Sequence, residues 1–213
     1  MSDVALPARC RGTLATARAG TVSAPESAMD IVHEVSVAAG HALQGIRAGN
    51  EKLASQKLAP GQAPEITVLS VAFEPNGALP VSCTIDGVGA PPALSFSNVP
   101  EAAQALVVLA EDPDAPQLEP FVHWLVYGIP SSAPNVDAQT QHHYRLGTNG
   151  KSEQGYTPAA PPPGHGLHHY HFQVFALDQP LESSEGAERD KLIEAMTGHV
   201  LAWGEIIGTY ERE

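Results

Sequence analysis

Residues 105–116 read Ala105-Leu106-Val107-Val108-Leu109-Ala110-Glu111-Asp112-Pro113-Asp114-Ala115-Pro116. The first six are apolar without alternation, the pattern of a central strand covered on both faces. Acidic residues and prolines follow at once. Carboxylates at the rim of a buried strand lie where a rigid scaffold meets a loop, the usual place for binding residues.

Reading outward, Ile66–Phe73, Val81–Ile85, Val122–Tyr127 and Tyr170–Leu177 are rich in the β-branched, aliphatic and aromatic residues of strands. Pro75-Asn76-Gly77, Asp86-Gly87 and the Gly128/Pro130 pair supply turns. Short strands punctuated this way, in a chain with 19 Gly and 19 Pro, predict a mainly β protein, an antiparallel β-sandwich. Ala187–Thr197 predicts a C-terminal helix that Gly198 stops, with His199–Trp203 continuing as a further turn and Glu205–Tyr210 returning to the sheet. Three segments result: a disordered tail over 1–26, an amphipathic helix and linker over 27–63, and the β domain over 64–213. The added N-terminal helix is expected over Ser27–Arg47, with Ser27 as cap and Asp30 at the capping-box position. Val32, Val35, Ala39, Ala42, Leu43 and Ile46 form its apolar face, expected to cover the main core; a dimer or partner contact is the alternative. Gly40 and Gly45 weaken it, so it needs a surface to dock on. Met29 is a second candidate start codon.

The chain has 213 residues, 43% hydrophobic, enough for a substantial core. A net charge of -13 argues against nucleic-acid binding and against an anionic membrane surface. No apolar run is long enough to span a bilayer. Residues 1–20 lack the apolar core of a secretory signal. The only cysteines, Cys10 and Cys83, form no disulfide framework, which suits a reducing cytoplasm.

Asp112 precedes proline and is therefore expected to be extended. In an extended stretch residues two apart share a side, so Asp112 and Asp114 are expected to face one space. Read alone, the pair is more simply a turn starter whose acids cap backbone amides. His123 lies within the next strand. A carboxylate close to it would hold one tautomer and raise its pKa. On the later strand His168 and Tyr170 share one face, and His169 and His171 the other. Before them runs Pro161-Pro162-Pro163-Gly164-His165-Gly166, stiff at its prolines and compact at its glycines. Such a loop can wall a pocket and offer a backbone N–H to an anion.

These motifs, in this order, resemble the phosphatidylethanolamine-binding protein family, in particular its bacterial Raf kinase inhibitor-like branch. The resemblance runs from about residue 64 to the end. It rests on Glu111–Pro116, on Val122-His123-Trp124-Leu125-Val126-Tyr127-Gly128-Ile129-Pro130, on Pro161–Tyr170 and on Ala195-Met196-Thr197-Gly198-His199-Val200-Leu201-Ala202. It implies a β-sandwich with few helices and a cavity for phosphate, carboxylate or phospholipid-headgroup-like anions. The pocket residues it implies are Asp112, Asp114, His123, Ala160 through its N–H, Pro162, His168 and Tyr170. Three positions depart from the pattern. His169 replaces the family's arginine. Thr157-Pro158-Ala159-Ala160 stands where relatives carry Gly-Gly-Pro-Cys. Gly128 replaces an asparagine.

The resemblance implies a non-catalytic protein without a cofactor, binding phosphate or phosphoethanolamine and regulating or inhibiting an unidentified protein, with a homodimer compatible. A pocket with two aspartates can take an anion if the ligand donates a proton to Asp112 or brings an ammonium. Protonated His123 and the Tyr170 hydroxyl would then be the donors, so binding should weaken as pH rises. Two other readings stay open. A hydrolase would use the aspartates and His123 as acid and base, though no Gly-x-Ser-x-Gly elbow is present. A metal protein would draw on His142, His143, His165, His168, His169 and His171.

Overall fold

The computed structural model describes residues 28–59, 62 and 65–213. The tail over 1–26, the Ser27 cap and Pro60, Gly61 and Pro64 of the linker lie outside the described residues. A three-stranded antiparallel sheet joins β1 (Thr67–Ser70), β3 (Leu94–Ser97) and β6 (Asn135–Val136) in the order β1-β3-β6. A six-stranded sheet adds β2 (Gly77–Ala78), β4 (Ala105–Asp112), β5 (Phe121–Pro130), β7 (Arg145–Leu146), β8 (His168–Leu177) and β9 (Val200–Tyr210). Its order is β2-β9-β8-β4-β5-β7. All its pairings are antiparallel except the short β2–β9 pair.

Every residue of β4 is buried, and alternation explains why. Leu106, Val108 and Ala110 face the sandwich interior with Trp124, Val126, Tyr170, Phe172 and Val174. Val107 and Leu109 face the opposite way, into a second core with Leu125, Tyr127, Phe175 and Leu177. Residues of α2 (Ala54–Leu58) and α3 (Arg189–Met196) close that second core through Ala54, Leu192, Ile193 and Met196. A strand packed on both faces has no position for a polar residue until its end.

Two predicted elements differ. Val81–Cys83 is a 3₁₀ turn, not a strand; only Thr84 bridges, to Ala159. His199–Trp203 does not prolong the helix: Gly198, at φ 83, turns the chain into β9 at Val200. Left-handed backbone of this kind favours glycine and ends helices.

The N-terminal helix, α1 (Ala28–Leu43), forms but does not cover the core. Val32, Val35 and Ile46 of the predicted apolar face remain exposed. The helix approaches the Pro163–His165 loop through Gly40 instead, where a β-carbon would overlap the Pro163 carbonyl oxygen. The glycine read as a weakness is the residue that permits docking, because close backbone approach requires a bare Cα. Gln44 Nε2 adds a hydrogen bond to the Gly164 carbonyl.

Candidate functional site

Three adjacent strands bring the site together. β4 ends at Asp112, which pairs with Phe121 of β5, and Glu111 pairs with His171 of β8. The rim residues Asp112, His123 and His168 therefore converge from β4, β5 and β8 although 56 positions separate the first and last. Between them and the Pro158–Pro162 loop lies a cavity of about 220 Å³. Asp112, His123, His168, Ala160 and Pro162 line it.

Asp114 does not. Asp112 Oδ1 accepts the Asp114 N–H at 2.8 Å, a local turn that swings Asp114 outward. There its carboxylate pairs with Arg47 and with His169 Nδ1, the latter at 2.7 Å. Burial works to raise the Asp114 pKa, but His169 and Arg47 outweigh it and hold the carboxyl below its ordinary value. The two carboxylates thus serve different faces, because the turn breaks the extended alternation. His169 does not leave the position of the replaced arginine without a cation: Arg47, from the N-terminal segment, supplies a guanidinium.

Tyr170 lies beneath the cavity rather than in its wall. Its ring meets the His123 ring edge-on, with centroids 5.0 Å apart. Its hydroxyl is buried without a partner among the described residues. Burial, and then the charge of Asp112, push the phenol far upward, so it keeps its proton.

His123 is buried, and its Nδ1 lies 2.8 Å from the Thr157 carbonyl. A carbonyl only accepts, so Nδ1 carries a proton, and in the neutral ring Nε2 holds a lone pair. Burial lowers the His123 pKa; nearby Asp112 raises it without reversing the sign. The imidazole is therefore neutral near pH 7 in the free protein, contrary to the expectation that a carboxylate neighbour raises it. Asp112 Oδ2 is 2.7 Å from His168 Nδ1, and both are buried.

The structure adds pocket residues that motif reading missed. Lys151 lines the wall, on a loop ordered by buried Asn149, whose Oδ1 accepts the N–H groups of Lys151 and Glu153. Phe121 closes one side and packs against Gly150. Asn149-Gly150-Lys151 reads as an ordinary turn, and nothing in it signals a distant strand. The Ala160 N–H has no partner among the described residues.

Of the histidines in the metal reading, His165 and His168 meet each other and the rest lie apart. His169 binds Asp114 and His171 binds Glu205, and His142 and His143 lie on a separate 3₁₀ turn. Among the described residues no three His, Cys, Asp or Glu group to hold a metal. Cys83 is buried, its thiol pushed up by burial, and does not line the cavity. Among the described residues no helix is long and apolar enough to cross a membrane.

The sandwich, the strand-end aspartate and the paired histidines can be set beside known proteins. The phosphatidylethanolamine-binding protein family profile matches residues 69–211. A UPF0098 protein of Pyrococcus abyssi is 36% identical over 160 residues, 72% of this chain and 89% of its own length. A UPF0098 protein of Chlamydia trachomatis is 38% identical, over 68% of this chain and 97% of its own. Among solved structures, a putative phosphatidylethanolamine-binding protein homologue from C. trachomatis superposes with a TM-score of 0.66 at 37% identity. It covers 71% of this chain and is itself covered completely. Escherichia coli YbcL superposes with the same TM-score at 26% identity, over 70% of this chain and 99% of YbcL. With the matched region spanning both sheets and the cavity between β4, β5 and β8, this chain belongs to the phosphatidylethanolamine-binding protein family.

Proposed function

We propose that this protein binds a small phosphate-type anion, such as phosphate or the phosphoethanolamine headgroup, in the cavity beside His123, and that occupancy regulates another protein. The observation that carries the reading is the orientation of His123. With Nδ1 committed to Thr157, Nε2 is the nitrogen left for a ligand, and it becomes a donor as soon as the ring is protonated. Lys151 and the Ala160 N–H, in the same lining, supply further positive potential. A cavity of about 220 Å³ fits a headgroup and falls below the roughly 300–1,000 Å³ of drug-sized pockets.

Protonation gives the reading its test. Free His123 titrates below its ordinary value of about 6.5. Anion binding near neutrality therefore takes up a proton. Affinity is expected to fall as pH rises above the free-state value, by up to about tenfold per unit, until the bound imidazole also loses its proton. Calorimetry with sulfate, whose charge is constant there, separates this from titration of phosphate itself. His123→Ala should remove the pH dependence and weaken phosphate binding about tenfold or more. A pH-independent affinity, or full affinity in His123→Ala, would refute the reading.

Lys151 is exposed, so its contribution is smaller. Lys151→Ala is expected to weaken phosphate binding about two- to fivefold at low salt, with the difference shrinking as salt screens it. Phosphate titrations of both proteins at two ionic strengths check this.

A further inference from the structure

We propose that the N-terminal segment is a working part of the pocket, with the Leu43 carbonyl and His165 acting as positioning residues for His168 and Asp112. The inference rests on the pocket reading above and concerns residues outside that cavity's wall. A line of hydrogen bonds runs inward from the end of α1. His165 Nε2 lies 2.8 Å from the Leu43 carbonyl oxygen, His165 Nδ1 lies 2.6 Å from His168 Nε2, and His168 Nδ1 lies 2.7 Å from Asp112 Oδ2. Both imidazoles are buried, at 1% exposure each, so all four ring nitrogens take protein partners instead of water.

The direction of the line follows from its outer end. A carbonyl has no proton to give, so His165 Nε2 must donate to Leu43. A neutral His165 then accepts at Nδ1, and His168 must donate from Nε2. That leaves one proton to be shared between His168 Nδ1 and Asp112 Oδ2. Wherever the shared proton rests, the pair carries no net charge: carboxylate with imidazolium, or acid with neutral ring. This answers how a cavity with a buried aspartate receives an anion: the aspartate arrives with its counter-charge, provided His168 is held in this tautomer. The negative end of the helix dipole at Leu43 favours the same polarity.

The same segment braces the other wall. Ala48 and Gly49 donate their N–H groups to the carbonyls of Ala115 and Pro113 at 3.1 and 2.9 Å. Arg47 pairs with Asp114 and reaches the Leu167 carbonyl, holding Asp114 away from the cavity. Residues 40–49 thus tie the loop after β4 to the loop before β8, on either side of Asp112.

The test uses the full chain and reads the imidazole nitrogens by ¹⁵N NMR, with phosphate titrations alongside. In the wild type, His168 Nε2 is expected to be protonated and His165 Nδ1 unprotonated. His165→Leu removes the acceptor; the His168 resonances should shift and phosphate binding weaken about tenfold. His165→Gln, which keeps a donor and an acceptor, should restore most of both. Gly40→Ala changes no side chain of the relay or the cavity but drives α1 off the Pro163–His165 loop, and should move His168 in the same sense. An unprotonated His168 Nε2 in the wild type overturns the proposal, as do unchanged His168 resonances in both His165→Leu and Gly40→Ala. A wild type that shows the expected tautomers yet binds no phosphate supports the positioning role and overturns the anion-binding reading.

Discussion

Arg189→Ala is expected to cost about 3–5 kcal/mol of stability, the loss typical of stripping a buried ion pair of one partner. Glu111 is fully buried and Arg189 is 8% exposed. Arg189 Nε donates to Glu111 Oε1 at 2.5 Å and Nη2 donates to the Lys52 carbonyl at 2.6 Å. Glu111 Oε2 accepts from the Ala54 N–H and from Gln173 Nε2. One carboxylate thereby fastens α2, α3 and the end of the N-terminal segment to the central strand. Without the guanidinium a buried charge has only neutral donors. The double change Glu111→Leu with Arg189→Leu should recover part of the loss, because the charge leaves with its partner. Urea unfolding should show the single variant's midpoint falling with an unchanged slope. A loss under 1 kcal/mol would mean that water reaches Glu111.

Trp124→Ala is expected to cost a further, independent 3–5 kcal/mol or so. Trp124 is fully buried in the sandwich core. Its Nε1–H donates to buried Gln141 at 2.9 Å, so truncation leaves a cavity and an unsatisfied amide oxygen. Its ring also meets Tyr156 edge-on, with centroids 6.1 Å apart. Tyr156 adjoins Thr157, whose carbonyl orients His123, and its hydroxyl donates to the Cys83 carbonyl. The variant should therefore lose phosphate affinity as well as stability. Trp124→Phe, which keeps an aromatic ring, should lose less of both. Paired unfolding and titration experiments would show whether the two losses travel together.

The strands that form the core were legible because their pattern is local. Ala105–Ala110 has no polar residue, which only a strand with two covered faces tolerates, and His168 and Tyr170 do share a face. The errors share a cause too. Val81–Cys83 has strand-forming residues but lies between turns, and no neighbouring strand extends it. The apolar stripe of α1 predicts a buried face, but the helix docks through Gly40, since shape rather than hydrophobicity governs a close backbone approach.

The candidate site divides in the same way. By itself the sequence determined the sandwich class, the central strand, and the placement of Asp112, His123 and His168 at strand ends. These follow from strand periodicity and from proline and glycine chemistry, which act over a few residues. Only the tertiary structure decided that Asp114 turns outward, that Lys151 joins the wall, and that Arg47 and Leu43 reach the loops beside the cavity. The Arg47–Asp114 and Leu43–His165 contacts span 67 and 122 positions of chain. They depend on which strands lie side by side and on how closely a glycine lets two backbones approach, neither of which a local pattern encodes.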